Sequence, residues 1–155
     1  MEDQKYLFPD MMIDKKKELL SKLWAMEVAS PVHKVLSPAD ILPALVQYQE
    51  KEQEHFLVVT LNGAHEVIRV HVVSIGIVNR ALVHPREVFR PAFLDNAVAI
   101  IMAHNHPSGN FEPFEEDKEI TKRLKDSGEL LGIEVLDSLI ISKRGFYSFL
   151  EDDKL

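Results

Sequence analysis

One segment, Ala97-Val98-Ala99-Ile100-Ile101-Met102-Ala103, constrains this chain more than any other. Its apolar residues follow one another without polar alternation, between Asn96 and His104. A half-buried strand alternates in polarity and a surface helix repeats every 3.6 residues, so a short, wholly apolar run reads as a central strand covered on both faces. It is far shorter than the ~18 residues a membrane span needs. A strand covered on both faces calls for packed elements above and below it, and the rest of the chain supplies helical and extended patterns in alternation.

Met12, Ile13, Leu19, Leu20, Leu23, Trp24 and Val28 recur at helical spacing from Asp10 to about Val28, and Ser30-Pro31 ends that helix. Ser37-Pro38-Ala39-Asp40 is a second helix start, with Ser as cap, Pro at the first position and a carboxylate at the positive end. That helix runs to about Gln49. Phe56 to Leu61 and Glu66 to Ile75 are strands joined at Asn62-Gly63, a strong hairpin signal. His84-Pro85 opens a helix expected to turn Val88, Phe89, Phe93 and Leu94 inward, with Pro91 placed to bend or split it. The apolar run then empties into a turn-rich loop, His104 to Asn110. A helix from about Glu115 to Leu131 closes at Gly132, with Ile120, Leu124 and Leu131 on one side. Ile133 to Ser142 and Phe146 to Leu150 are the last strands, on either side of Lys143-Arg144-Gly145. These elements predict one α/β domain without linker or internal repeat.

Composition narrows the function. Eighteen basic against 25 acidic residues leave −7 at neutral pH. Affinity for a phosphate backbone comes from neutralising cations, so strong non-specific nucleic-acid binding is not expected. No signal peptide is legible behind the acidic N-terminus, which makes a cytoplasmic location the expectation. There is no cysteine, hence no thiol nucleophile and no cysteine-based metal site. Any metal falls to His, Asp or Glu.

His104 and His106 are two apart at the end of an extended segment, so their side chains point to the same side. Asp117, eleven residues further, lies in the first turn of the next helix and can fold back onto the strand end. Two imidazoles and one carboxylate leave a fourth position for water, which is the design of a catalytic zinc site. Such a mechanism needs a base that is not a ligand, and Glu54, just before the Phe56 strand, is the best placed carboxylate. Plainer readings compete at this level. A His-X-His pair occurs by chance, Asp117 also suits a helix start beside Glu115 and Glu116, and Glu54 also reads as a solvated charge. His33, His55, His65, His71 and His84 are scattered and read as surface or core residues.

Ala103-His104-Asn105-His106-Pro107-Ser108-Gly109, with Pro113 and Asp117, resembles the JAB/MPN (JAMM) metallopeptidase motif, and more narrowly its RadC-like branch. Leu82 through Phe89, Ile120-Thr121-Lys122-Arg123-Leu124, Leu131-Gly132-Ile133, Leu136-Asp137 and Tyr147-Ser148-Phe149 extend the resemblance over roughly 54–151. The resemblance implies a cytidine-deaminase-like α/β/α sandwich with a mixed central sheet. It implies one zinc ion per chain held by His104, His106 and Asp117, with Glu54 as general acid/base. By analogy the reaction is hydrolysis of a peptide or isopeptide amide in an unidentified protein substrate: zinc-held water attacks, and Glu54 carries its proton to the leaving amine. On this reading residues 51–155 form the RadC-like domain and residues 1–50 a helical extension packed on the same unit.

Three differences from the family pattern stand out. Phe114 occupies the position of a Ser whose hydroxyl is assigned to oxyanion stabilisation, and loss of one such donor can cost ~10²–10³ in rate. Ser138 stands where the family usually has His. No hairpin Gly-X-Gly signature of the DNA-binding module that usually precedes this domain occurs in the first 50 residues. A hydrolase, a non-catalytic JAB/MPN interaction scaffold and a RadC-type DNA-repair accessory are therefore the alternatives, in that order. Zinc suits the donor set, and iron and manganese remain compatible with it.

Overall fold

The computed structural model describes residues 34–76 and 83–155; the helix expected over Asp10 to Val28 lies outside them. Among the described residues are three α-helices, a 3-10 turn and five strands. In chain order they are α1 (Pro38–Leu45), the turn Val46–Tyr48, β1 (His55–Leu61), β2 (Val67–Ile75) and α2 (Pro85–Leu94). β3 (Ala99–Asn105), α3 (Glu115–Leu131), β4 (Glu134–Ser142) and β5 (Gly145–Ser148) follow. The strands form one mixed sheet in the order β2-β1-β3-β4-β5. β1 is antiparallel to β2 and β3, β3 is parallel to β4, and β5 returns antiparallel along β4. The parallel pair needs a crossover, and α3 supplies it.

The apolar run becomes the central strand β3, buried along its whole length. Ile100 and Met102 pack with Phe56 and Val58 of β1, Val88, Phe89 and Ala92 of α2, and Ile120 and Leu124 of α3. Ala99, Ile101 and Ala103 pack on the other side with Leu57, Val59, Leu139, Ile141 and the α1 residues Ile41 and Leu45. Period-two alternation thus sends successive β3 side chains into two separate apolar clusters, with α1 on one side of the sheet and α2 and α3 on the other. The strand starts two residues later than the run and continues through His104 and Asn105. His104 pairs with Phe56 and Ile140, and Asn105 pairs with Ile141. The expected loop therefore begins only after these residues, because the ladder with β1 and β4 reaches that far.

Other boundaries differ for local reasons. The hairpin is present, but its left-handed residue is His65 (φ 60) and not Gly63. Asn62 works through its side chain, whose Oδ1 accepts the N–H groups of Ala64 (2.9 Å) and Glu66 (3.0 Å). Helix α2 runs unbroken through Pro91 and buries Val88, Phe89 and Ala92, while Phe93 and Leu94 are exposed. At 3.6 residues per turn, Phe93 lies about a quarter turn and Leu94 about half a turn from that buried stripe. In α3 the buried line is Asp117, Ile120, Thr121, Leu124 and Gly128, and Leu131 is part-exposed. The chain reverses at Gly132 (φ 72) and brings the Ile133 carbonyl against Gly128, so close packing of the helix ends there. No helix among the described residues is long and apolar enough to cross a membrane.

Candidate metal centre

The pleat that turns Ile100 and Met102 toward α3 also turns His104 toward it. His106 follows on the same side, its N–H donating to the Ile141 carbonyl at 2.9 Å, which keeps it on the line of the sheet. The loop between His106 and α3 is fastened to the β4–β5 turn. Ser142 Oγ donates to the Gly109 carbonyl at 3.0 Å, and the ring of Phe111 packs so closely on Gly145 that a Cβ there would stand 3.0 Å from it. Gly109 takes φ 85 to make the turn, with the Arg144 side chain lying across it. The loop then delivers the first turn of α3, and Asp117 is the third residue of that helix.

Three side chains from these elements converge. His104 Nε2 lies 3.2 Å from His106 Nε2 and 3.0 Å from Asp117 Oδ1, and His106 Nε2 lies 3.6 Å from Asp117 Oδ2. All three residues are buried, and among the described residues this is the one group of three His, Asp or Glu donors close enough to share an ion. Tetrahedral zinc with ligands at 2.0–2.2 Å separates neighbouring ligand atoms by about 3.3 Å. The two ring nitrogens, and each ring nitrogen with its nearer carboxylate oxygen, are separated by distances of that size, and one atom per residue lies within 4.8 Å of the others, so the residues fit one face of such a site.

Proton placement agrees with this. His106 Nδ1 faces the Asn110 carbonyl at 2.8 Å. A carbonyl only accepts, so the proton sits on Nδ1 and the Nε2 lone pair faces the other two donors, the tautomer a ligand histidine needs. Burial and the neighbouring His104 push the His106 pKa below the ordinary histidine value, against the pull of Asp117, Asn110 and Glu54. The neutral, ligating form is therefore favoured. Burial pushes Asp117 upward, but the His104 ring, the Phe114 N–H and His106 outweigh it and hold the carboxyl below its ordinary value. With both imidazoles in the neutral form that ligation requires, the buried carboxylate leaves the site a net negative charge, which suits a cation. The His104 ring stacks on Phe56, with centroids 6.0 Å apart and 11° between planes. Its Nδ1 is buried without a hydrogen-bond partner.

Glu54 stands half-buried immediately before β1. Its carbonyl accepts the Gly76 N–H at 2.8 Å, and its charge acts on His106. Phe114 caps α3 through its backbone alone: its N–H donates to Asp117 Oδ2 at 2.7 Å. Its ring, 57% exposed, stacks on His106 with centroids 5.2 Å apart. Ser138 is buried and accepts the Thr121 hydroxyl at 3.1 Å. Of the other histidines, His65 makes the hairpin turn, His84 caps α2, and His71 pairs with Asp95 at 2.6 Å. Sequence reasoning missed Asn105, whose buried carboxamide bonds backbone groups of residues 51–55. Its one signal was its place inside the triplet His-Asn-His.

Comparison with known proteins gives the same family. A model of the RadC-like JAB domain matches residues 35–155. A UPF0758 protein of Methanospirillum hungatei is 57% identical over 93 residues, covering 60% of this chain and 41% of the relative. A UPF0758 protein of Rubrobacter xylanophilus is 44% identical over 122 residues, covering 78% of this chain and 53% of the relative. One from Trichlorobacter lovleyi is 40% identical over 137 residues, with 88% and 60% covered. The chain thus spans about half the length of the curated relatives it matches. With its match running from residue 35 through the whole of the sheet and the His-His-Asp cluster, the chain belongs to the RadC-like JAB domain family.

Proposed function

We propose that this domain is a metal-dependent hydrolase of peptide or isopeptide bonds, built as a three-layer cytidine-deaminase-like sandwich. The observation that carries the reading is the buried convergence of His104 Nε2 and His106 Nε2, 3.2 Å apart, on the Asp117 carboxylate, whose Oδ1 lies 3.0 Å from the first and Oδ2 3.6 Å from the second. These residues would hold one divalent ion, and zinc is the ion that two imidazoles and a carboxylate suit. When bound, such an ion lowers the pKa of a water toward ~7 and polarises a carbonyl.

The chain's own groups do the rest. His106 keeps its proton on Nδ1, against the Asn110 carbonyl, and so does not compete as a base. Glu54 takes a proton from the attacking water and delivers it to the departing nitrogen, as a C–O bond forms and the C–N bond breaks. The substrate is an unidentified protein or peptide; a net charge of −7 works against strong non-specific nucleic-acid binding.

Phe114 favours a second reading. Its exposed ring stacks over His106 at the position where a family hydroxyl would stabilise the oxyanion, and a chain without that donor can serve as an interaction scaffold. Cleavage of a peptide library by the zinc-loaded chain, by Glu54→Gln and by Phe114→Ser separates the two. The hydrolase reading expects cleavage by the wild type, its loss in Glu54→Gln, and a gain toward ~10²-fold in Phe114→Ser. Zinc bound in all three with no cleavage in any would favour the scaffold.

A further inference from the structure

The geometry points to Asn105 as the residue that positions Glu54, by lashing the segment that carries it to the metal-ligand strand. Asn105 is fully buried between the two candidate ligands in sequence, and the pleat turns its side chain away from theirs. Its Oδ1 accepts the His55 N–H at 2.6 Å, while Nδ2 donates to the Gln53 carbonyl at 3.1 Å and the Lys51 carbonyl at 3.3 Å. These contacts bridge 50 to 54 positions of sequence and bracket Glu54 on both sides.

Residues 50–53 are exposed and belong to no helix or strand, so the segment has little packing of its own. Its remaining backbone ties include Glu54 to Gly76 and Lys51 to Tyr48. Only a carboxamide presents an acceptor and two donors from one planar group. Asp at 105 could accept from His55 but would face two carbonyls with a charged oxygen. The cost of a loosely held base is large, because reacting groups must sit within about 3–3.5 Å of one another to react.

The inference rests on the reading of Glu54 as the base, and acetohydroxamate binding to the zinc-loaded full chain tests it without a known substrate. A hydroxamate chelates an active-site metal and presents its proton to the adjacent base. Glu54→Gln and Asn105→Ala are each expected to weaken binding about tenfold, the scale of supporting-shell losses, with the zinc content unchanged. The double variant is expected to be no weaker than Glu54→Gln alone, since Asn105 acts through Glu54. Isosteric Asn105→Asp, which keeps the shape but loses both donors, is expected to weaken binding similarly and decides the matter if Asn105→Ala does not fold.

A multiplicative, about hundredfold, loss in the double variant would overturn the proposal, as would full affinity in Asn105→Asp. Unchanged affinity in Glu54→Gln would instead remove Glu54 as the base. Amide exchange then separates the two claims: faster exchange at His55 in Asn105→Asp keeps the lashing role, and unchanged exchange removes it.

Discussion

Asp137 on β4 allows a sharp test of how this domain is held together. Its carboxylate is buried and accepts three hydrogen bonds. Oδ1 takes the N–H groups of Ser138 (2.7 Å) and Leu150 (3.0 Å), and Oδ2 takes the Ser148 hydroxyl at 2.6 Å. It therefore ties β4 to β5 and to the turn that follows. Replacing it by Ala leaves two backbone donors near the core without an acceptor, at about 1–3 kcal/mol each, so Asp137→Ala should lose roughly 2–6 kcal/mol. Asp137→Asn keeps the Oδ1 acceptor and lets Nδ2 donate to the Ser148 hydroxyl, so it should cost under about 1 kcal/mol. The pH dependence has a defined sign. Burial, aided by Glu151, pushes the Asp137 pKa above its ordinary value despite the three donors. A raised carboxyl favours the folded state while protonated. Its contribution is complete below the unfolded value of ~3.9 and is lost as pH rises through the folded one. Asp137→Asn lacks that loss, so its stability relative to the wild type should rise as pH climbs from ~3.9 through the raised folded value. Urea denaturation of the three proteins across that range measures it. Equal losses in the Asn and Ala variants, or a pH-independent difference between Asn and wild type, would refute the reasoning.

Two further outcomes follow from the packing and charges. Gly128→Ala gains about 1 kcal/mol of helix propensity, but its Cβ would stand 2.6 Å from the Ile133 carbonyl oxygen and 3.0 Å from Val135 Cγ2. Overpacking of about 1–3 kcal/mol wins, and thermal denaturation should show a lowered midpoint; a raised one contradicts the close approach of α3 to β4. Asp95 accepts the Thr60 hydroxyl at 2.7 Å and pairs with His71 at 2.6 Å. Burial works against its charge, but His71 and Thr60 outweigh it and hold its pKa below the ordinary value. That stabilisation is present above ~pH 3.9 and is lost as pH falls through the depressed folded value, so Asp95→Asn should show a shallower acid-side loss of stability; an unchanged slope refutes this.

Much of the scaffold was legible because it depends on periodicity and on local stop signals. The Ala97–Ala103 run marked the central strand, and Gly132 closed α3 at the expected residue. The two-residue spacing of His104 and His106 placed both rings on one side, and the structure brings Asp117 to them. What was not legible depends on contacts between distant segments. No pattern could say that β3 continues through His104 and Asn105, since pairing with Phe56 and Ile140 decides it. Phe93 and Leu94 are apolar yet exposed because they lie off the buried stripe of their helix, and Leu131, although it shares the side of Ile120 and Leu124, is exposed at the last residue of α3. The carboxamide of Asn105 reaches across about fifty residues, a distance over which hydrophobic periodicity carries no information. Glu54 was distinguishable from Glu50 and Glu52 by its adjacency to β1 and by the family resemblance, not by hydrophobic pattern.

Zinc stoichiometry tests the centre most directly. Titration of the metal-free full chain against a chromogenic zinc chelator, in parallel with a His104→Ala/His106→Ala double variant, reads the equivalents bound by each. Three converging donors predict one equivalent for the wild type and none of comparable affinity for the variant. A wild type that binds no zinc, or a double variant that still binds one equivalent equally tightly, would contradict the assignment of these side chains to a metal.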